Sequence, residues 1–108
     1  MSDGRSREIP TISSELRWEA VTLPPSVSES DIDRIIFAEL RPRSRKVALI
    51  IGNAKSRCAE LGLPVSGDMI GARLIALAEA DQIEGLGDLR MWRFSEVRLK
   101  PGPPAQRL

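Results

Sequence analysis

Apolar positions along this chain recur at two spacings, and the change between them predicts an order of elements. Leu16, Trp18 and Ala20 alternate with Arg17, Glu19 and Val21, the two-residue period of a short strand with one apolar face. Pro24 and Pro25 end it, because proline offers no ladder donor and restricts the residue before it. From Ser28 the period lengthens. Ile32, Ile35, Ile36 and Leu40 form one helical stripe, with Ser28 as N-cap, Asp31 in the first turn where the helix dipole favours an acid, and Pro42 as the stop. A second helix is predicted over 43–61, where Val47, Ile50, Ile51, Ala54, Cys58 and Leu61 share a face and Gly62 suits a left-handed C-terminal cap. Gly52 inside it costs about 1 kcal/mol relative to alanine and marks a close contact or a bend.

The third helix starts at the Ser66 cap, with Asp68 in its first turn. It runs to near Ala80 with Ile70, Leu74, Leu77 and Ala78 on its core face. Its other positions, Met69, Ala72, Ile75 and Ala76, are apolar as well, with Arg73 and Glu79 the charges among them. A helix apolar nearly all round is buried on two sides. Residues 83–86 then read as a strand, Gly87 and Asp88 as a tight turn, and 89–99 as a longer strand. One face of that strand presents Leu89, Met91, Val97 and Leu99, and the other presents Trp92 and Phe94.

Strand, helix, helix, turn, helix, strand, turn, strand is the order of a winged helix. The expected fold is therefore α+β: three helices packed on a small antiparallel sheet made of an N-terminal strand and a C-terminal β-hairpin. At 108 residues the chain has the length of one domain, expected over 15–100. Residues 1–14, polar and aperiodic, are expected to be a flexible segment, and 101–108, with Pro101, Pro103 and Pro104, a disordered tail. The series Ile70, Ala72, Arg73, Leu77, Glu79, Ala80, Ile83, then Gly87, Asp88, Leu89, Arg90, then Arg93, Phe94, Ser95, Glu96, Val97, Arg98, Leu99 resembles an uncharacterised bacterial domain family of unknown function, over about residues 28–100. That resemblance implies the same fold and a bacterial cytoplasmic setting, in a domain often found at the C-terminus of longer proteins. It brings no catalytic residues.

Composition narrows function mostly by what is missing. The chain has no histidine and no tyrosine, and one cysteine, Cys58. The usual neutral-pH general base and the commonest nitrogen ligand for zinc are thus absent, and no thiolate or imidazole cluster can form within one chain. The expectation is a protein that is not an enzyme, with no cofactor, no metal and no evident small-molecule substrate. The longest strongly apolar stretch, 47–51, is far short of a membrane span, and the N-terminus lacks the apolar run of a secretory signal. With a single cysteine and no internal disulfide, the expected compartment is the cytoplasm.

Charge is banded. Residues 1–40 carry four bases and eight acids, 41–59 six bases and no acid, 60–88 one base and six acids, and 89–108 five bases and one acid. Two cationic clusters result: Arg41, Arg43, Arg45 and Lys46 at the start of the second helix, and Arg90, Arg93, Arg98 and Lys100 along the last strand. On one surface, and with Arg73, they would make a phosphate track for DNA; the competing reading pairs them with the chain's own acids. The four at 41–46 stand against the local helix dipole, which singles them out. Trp92 and Phe94 are candidates for base stacking or for sheet cover, and Cys58 continues an apolar stripe as an inert buried thiol. Glu29, Asp31 and Asp33 read as dipole complements rather than a cation site.

The third helix weakens the DNA reading, since Arg73 is flanked by Asp68, Glu79 and Asp81. The face Met69, Ala72, Ile75 and Ala76 instead suits a protein partner or a second copy in a homodimer, or else burial under the chain's own N-terminal strand. The sequence-level expectation is a protein-interaction or dimerisation module, with a DNA-binding transcriptional regulator as the alternative.

Overall fold

The computed structural model describes residues 14–101, so nearly all of the expected N-terminal segment and tail lies outside the described residues. Its elements are α1 (Glu29–Glu39), β1 (Arg45–Lys46), α2 (Val47–Glu60), α3 (Gly67–Glu79), β2 (Ile83–Leu86) and β3 (Glu96–Leu99), with single 3-10 turns at Trp18–Ala20 and Trp92–Phe94. The fold is α+β, three helices with a small antiparallel sheet of strand order β1-β3-β2.

Local chemistry sets the helix ends. Ser28 Oγ accepts the Asp31 N–H while the Asp31 carboxylate accepts the Ser28 N–H, each at 3.0 Å, a complete capping box. Gly62, at φ +73°, closes α2: the Leu63 N–H reaches the Cys58 carbonyl and the Gly62 N–H that of Ala59. Asp81 closes α3 in the same way at φ +65°, with Gln82 N–H on the Leu77 carbonyl and Asp81 N–H on that of Ala78. Ser66 caps α3 by accepting the Met69 N–H at 3.2 Å.

Three expectations are corrected. Leu16, Trp18 and Ala20 do not form a strand; the Ala20 and Val21 N–H groups turn back to the Arg17 and Trp18 carbonyls, and the third strand is Arg45–Lys46. The second helix accordingly starts at Val47, four residues later than predicted, because Arg45 and Lys46 pair with Val97 and Glu96. Its first free donor, the Val47 N–H, goes to the Ser95 carbonyl at 3.0 Å. The last strand is only Glu96–Leu99. Upstream of it the Asp88 carboxylate captures the Arg90 N–H, the Met91 N–H bonds the Asp88 carbonyl and the Phe94 N–H that of Met91, so local turns win over the ladder.

The core is built from α1 (Ile32, Ile35, Ile36), α2 (Val47, Ile50, Ile51, Ala54, Cys58) and α3 (Ile70, Leu74, Leu77), closed by Ile83 and Val97 from the sheet. Cross-strand register places Lys46, Glu96 and Leu86 in one row, with Glu84 opposite Arg98 on the same outer side. Val97, Ile83 and Leu99 face inward. Trp92 and Phe94 part company: Trp92 packs against the core, whereas Phe94 is 75% exposed.

Two glycines receive side chains of the 87–95 loop. Trp92 lies so close to Gly71 on α3 that a Cβ there would sit 2.9 Å from its ring, and Leu89 fills the space beside Gly85 with a corresponding distance of 2.8 Å. Gly71 on α3 thus admits the Trp92 indole.

Candidate docking groove

The outer side of α3 is flanked rather than bare. Trp92 covers it near Gly67 and Gly71, and the segment 15–19 runs along another side, with Trp18 packed against the core. Between that segment, α3 and the hairpin loop a groove of about 590 Å³ remains open. Ala72, Ile75 and Ala76 contribute its helical wall, Leu89 and Gly85 its hairpin wall. Of the predicted face, Ala72 is 2% exposed and Ile75 and Ala76 are half-buried. Met69 is packed against the core and does not line the groove. The structure therefore brings three of those four residues together and adds Leu89.

Acids dominate the rim: Glu15, Glu19, Glu79 and Asp88 against Arg17 and Arg90. The two arginines are engaged, Arg17 at 3.5 Å from Glu19, and Arg90 at 3.1 Å from Asp88 and 3.7 Å from Glu15. Hydrogen bonds from the Arg90 guanidinium and backbone N–H hold the Asp88 carboxyl below its ordinary range. Glu79 has no cation beside it among the described residues.

Arg73, the single cation of α3, points back into the protein. Its Nε and Nη2 donate to the Asp33 carboxylate at 2.6 and 2.9 Å, Glu29 lies 2.9 Å away, and the Trp18 ring is 4.9 Å from the guanidinium carbon. The side chain is 13% exposed. Asp33 and Glu29, which the sequence assigned to the helix dipole, are thus ion-pair partners across α1 and α3.

The cationic clusters disperse. Arg41 donates to the Ala38 and Leu40 carbonyls and Arg45 to that of Glu39, so both complement the C-terminal end of α1. Lys46 lies 3.8 Å from Glu96; Arg98 pairs with Glu84 and Lys100 with Asp81. The outer side of the sheet is consequently a neutral ladder of alternating charge. Arg43 and Arg93 are exposed and have no carboxylate partner among the described residues. Arg41 and Arg45 thus serve the end of one helix, while Lys46 stands at the N-cap of α2 and pairs with Glu96.

Sequence reasoning missed Leu89; it offered cover of this face by the chain's own N-terminal segment as one alternative, and 15–19 does run beside it, though not as a strand. The signal for Leu89 was Gly85 inside a strand pattern, which marks a close approach. Cys58 is buried, and desolvation raises its thiol pKa. Among the described residues no group of His, Cys, Asp or Glu is arranged to hold a metal ion, and no helix is long and apolar enough to cross a membrane. No family model matches the chain, and neither does any curated protein or solved structure compared with it.

Proposed function

We propose that this chain is a non-enzymatic protein-interaction or dimerisation module on a winged-helix scaffold. The scaffold reading is supported by the element order α, β, α, α, β, β and by the sheet order β1-β3-β2. In such a scaffold α3 takes the place of the helix that enters a DNA groove. One observation carries the functional reading. The outer side of α3 offers Ala72, Ile75 and Ala76 to an open groove, its only cation is turned inward onto Asp33, and its exposed charges are the acids Asp68 and Glu79. Reading bases requires outward hydrogen-bonding and cationic side chains, whereas an apolar groove with an anionic rim suits protein. Ala76→Arg, which places a charge on the groove wall, should weaken association in sedimentation equilibrium while leaving the melting curve close to wild type. A chain that stays monomeric to about 1 mM and binds no partner through this groove refutes the reading.

The second reading, a DNA-binding regulator, is supported by Arg43 and Arg93, which project from the α1–β1 connection and the hairpin loop. It requires measurable binding to random duplex DNA at about 50 mM salt, lost when Arg90 and Arg93 are both changed to alanine. DNA binding that Ala76→Arg leaves intact would favour the regulator.

A further inference from the structure

The groove already has a neighbour of known sequence, residues 14–23 of the same chain. This arm belongs to neither the sheet nor any long helix, and no residue in it is fully buried. Trp18 is its anchor, laid on the Arg73 guanidinium that Asp33 and Glu29 fix from the other side. Leu23 adds apolar contact with the core. The remaining attachments are thin: a 3.3 Å hydrogen bond from the Ser14 N–H to the Arg90 carbonyl and a 3.7 Å ion pair from Glu15 to Arg90. The arm joins the body through Pro24 and Pro25, where a single hydrogen bond, Val27 N–H to the Pro24 carbonyl, closes the turn before Val27 enters the core. Extended proline backbone is a natural alternative to that turn. Opening it costs one hydrogen bond, and every other arm contact can be remade on a second copy.

We propose that residues 14–23 are an exchangeable arm, and that two copies of this chain pair by each laying its Trp18 on the Arg73 platform of the other. This rests on the reading of the α3 side as a protein-docking surface, and it names the partner as a second copy, whose arm takes the place that this chain's own arm holds beside the groove. Short tethers hold their ends at effective concentrations of about 1 mM, so the closed monomer dominates when dilute and the reciprocal dimer grows in as concentration rises.

Sedimentation equilibrium of the full chain from about 10 μM to 1 mM should show a reversible monomer–dimer equilibrium. An equimolar mixture of the Trp18→Ala and Arg73→Met chains should form a heterodimer at least about 10-fold tighter than either homodimer, because only the mixed pair contains an intact Trp18–Arg73 contact. Independently, a synthetic peptide of residues 14–23 should bind the full-length Trp18→Ala chain, and the same peptide with alanine at Trp18 should not. Its binding should also disappear in the Trp18→Ala, Arg73→Met double variant. A mixture of those two variants that forms no heterodimer, with a wild-type dimer that Ala76→Arg dissolves, overturns arm exchange and keeps the docking reading. Failure of the peptide to bind the Trp18→Ala chain, or a wild-type chain that is monomeric throughout, overturns the exchange outright.

Discussion

Gly71 tests how closely the 87–95 loop is fitted to α3. A Cβ built on it would meet Cζ2 of Trp92 at 2.9 Å, and Cε2 and Nε1 at 3.2 Å. Carbon atoms prefer about 3.5–4.0 Å, so the indole must retreat by roughly half an ångström. The loop resists that movement, because Ser95 Oγ bonds the Met91 carbonyl at 2.8 Å and the Ser95 carbonyl holds the first N–H of α2. Gly71→Ala gains about 1 kcal/mol of helix propensity and pays an overpacking cost of about 1–3 kcal/mol, leaving a net loss near 1 kcal/mol. Gly52 is the control. A Cβ there meets nothing within 4 Å, so Gly52→Ala should stabilise by about 0.5–1 kcal/mol. The same chemical change in two helices should therefore shift urea midpoints in opposite directions at constant slope, and melting temperatures should part by roughly 4–8 °C per kcal/mol. Trp92→Phe removes Cζ2 and the Nε1–H, a buried donor with no acceptor among the described residues, and should relieve much of the Gly71→Ala penalty in a double-mutant cycle. If Gly71→Ala stabilises as much as Gly52→Ala, the close approach of Trp92 to α3 is refuted.

Asp81→Gly should raise stability by about 0.5–1 kcal/mol, since glycine takes φ +65° without strain and only an exposed pair with Lys100 is lost; an unchanged or lower urea midpoint refutes it. Asp31, whose carboxyl is held below its ordinary pKa first by the Ser28 N–H, contributes stability that is present above the unfolded value near 4 and lost as pH falls through the lower folded value. Asp31→Asn should flatten that part of the acid unfolding curve. Arg73→Met should destabilise by about 1–2 kcal/mol, moderated because Glu29 and Asp33 can rehydrate, and should shift Trp18 emission; denaturation followed by fluorescence checks both. The buried, pKa-raised Cys58 should resist alkylation in the native chain and react at the rate of unfolding.

What was legible in the sequence was whatever local chemistry decides. The Ser28 and Ser66 caps, the left-handed Gly62, the helical stripes and the strand at 83–86 all follow from residues within four or five positions of each other. Failures came where a distant partner decided. The period-two pattern at Leu16, Trp18 and Ala20 is real, but Arg45–Lys46 takes the place beside β3 that the arm was expected to fill, with β2 on the other side. The run from Leu89 to Phe94 reads as a strand because two of its apolar side chains, Leu89 and Trp92, do pack inward. They reach it from turns, through holes left by Gly85 and Gly71 that a one-dimensional pattern does not display.

Charge shows the same division most sharply. Arg45 and Lys46 are neighbours in one basic band, yet they diverge: Arg45 turns to the carbonyl end of α1, and Lys46 to Glu96 on the outer side of the sheet. Glu84 opposite Arg98, and Asp81 beside Lys100, join an acidic band to the basic one that follows it, because an antiparallel hairpin folds the second onto the first. Banding along a chain therefore says little about a surface field when the bands are the arms of a hairpin, since the geometry that makes the sheet also neutralises it. A phosphate track would need the cations to exceed their cross-strand partners, and here Lys46 and Arg98 are matched by Glu96 and Glu84. Among the described residues Arg93 stays unpaired in the loop, but the surface bordering α3 is apolar, at Leu89 and along Ala72, Ile75 and Ala76, and that surface is the ground for proposing protein rather than nucleic acid against α3.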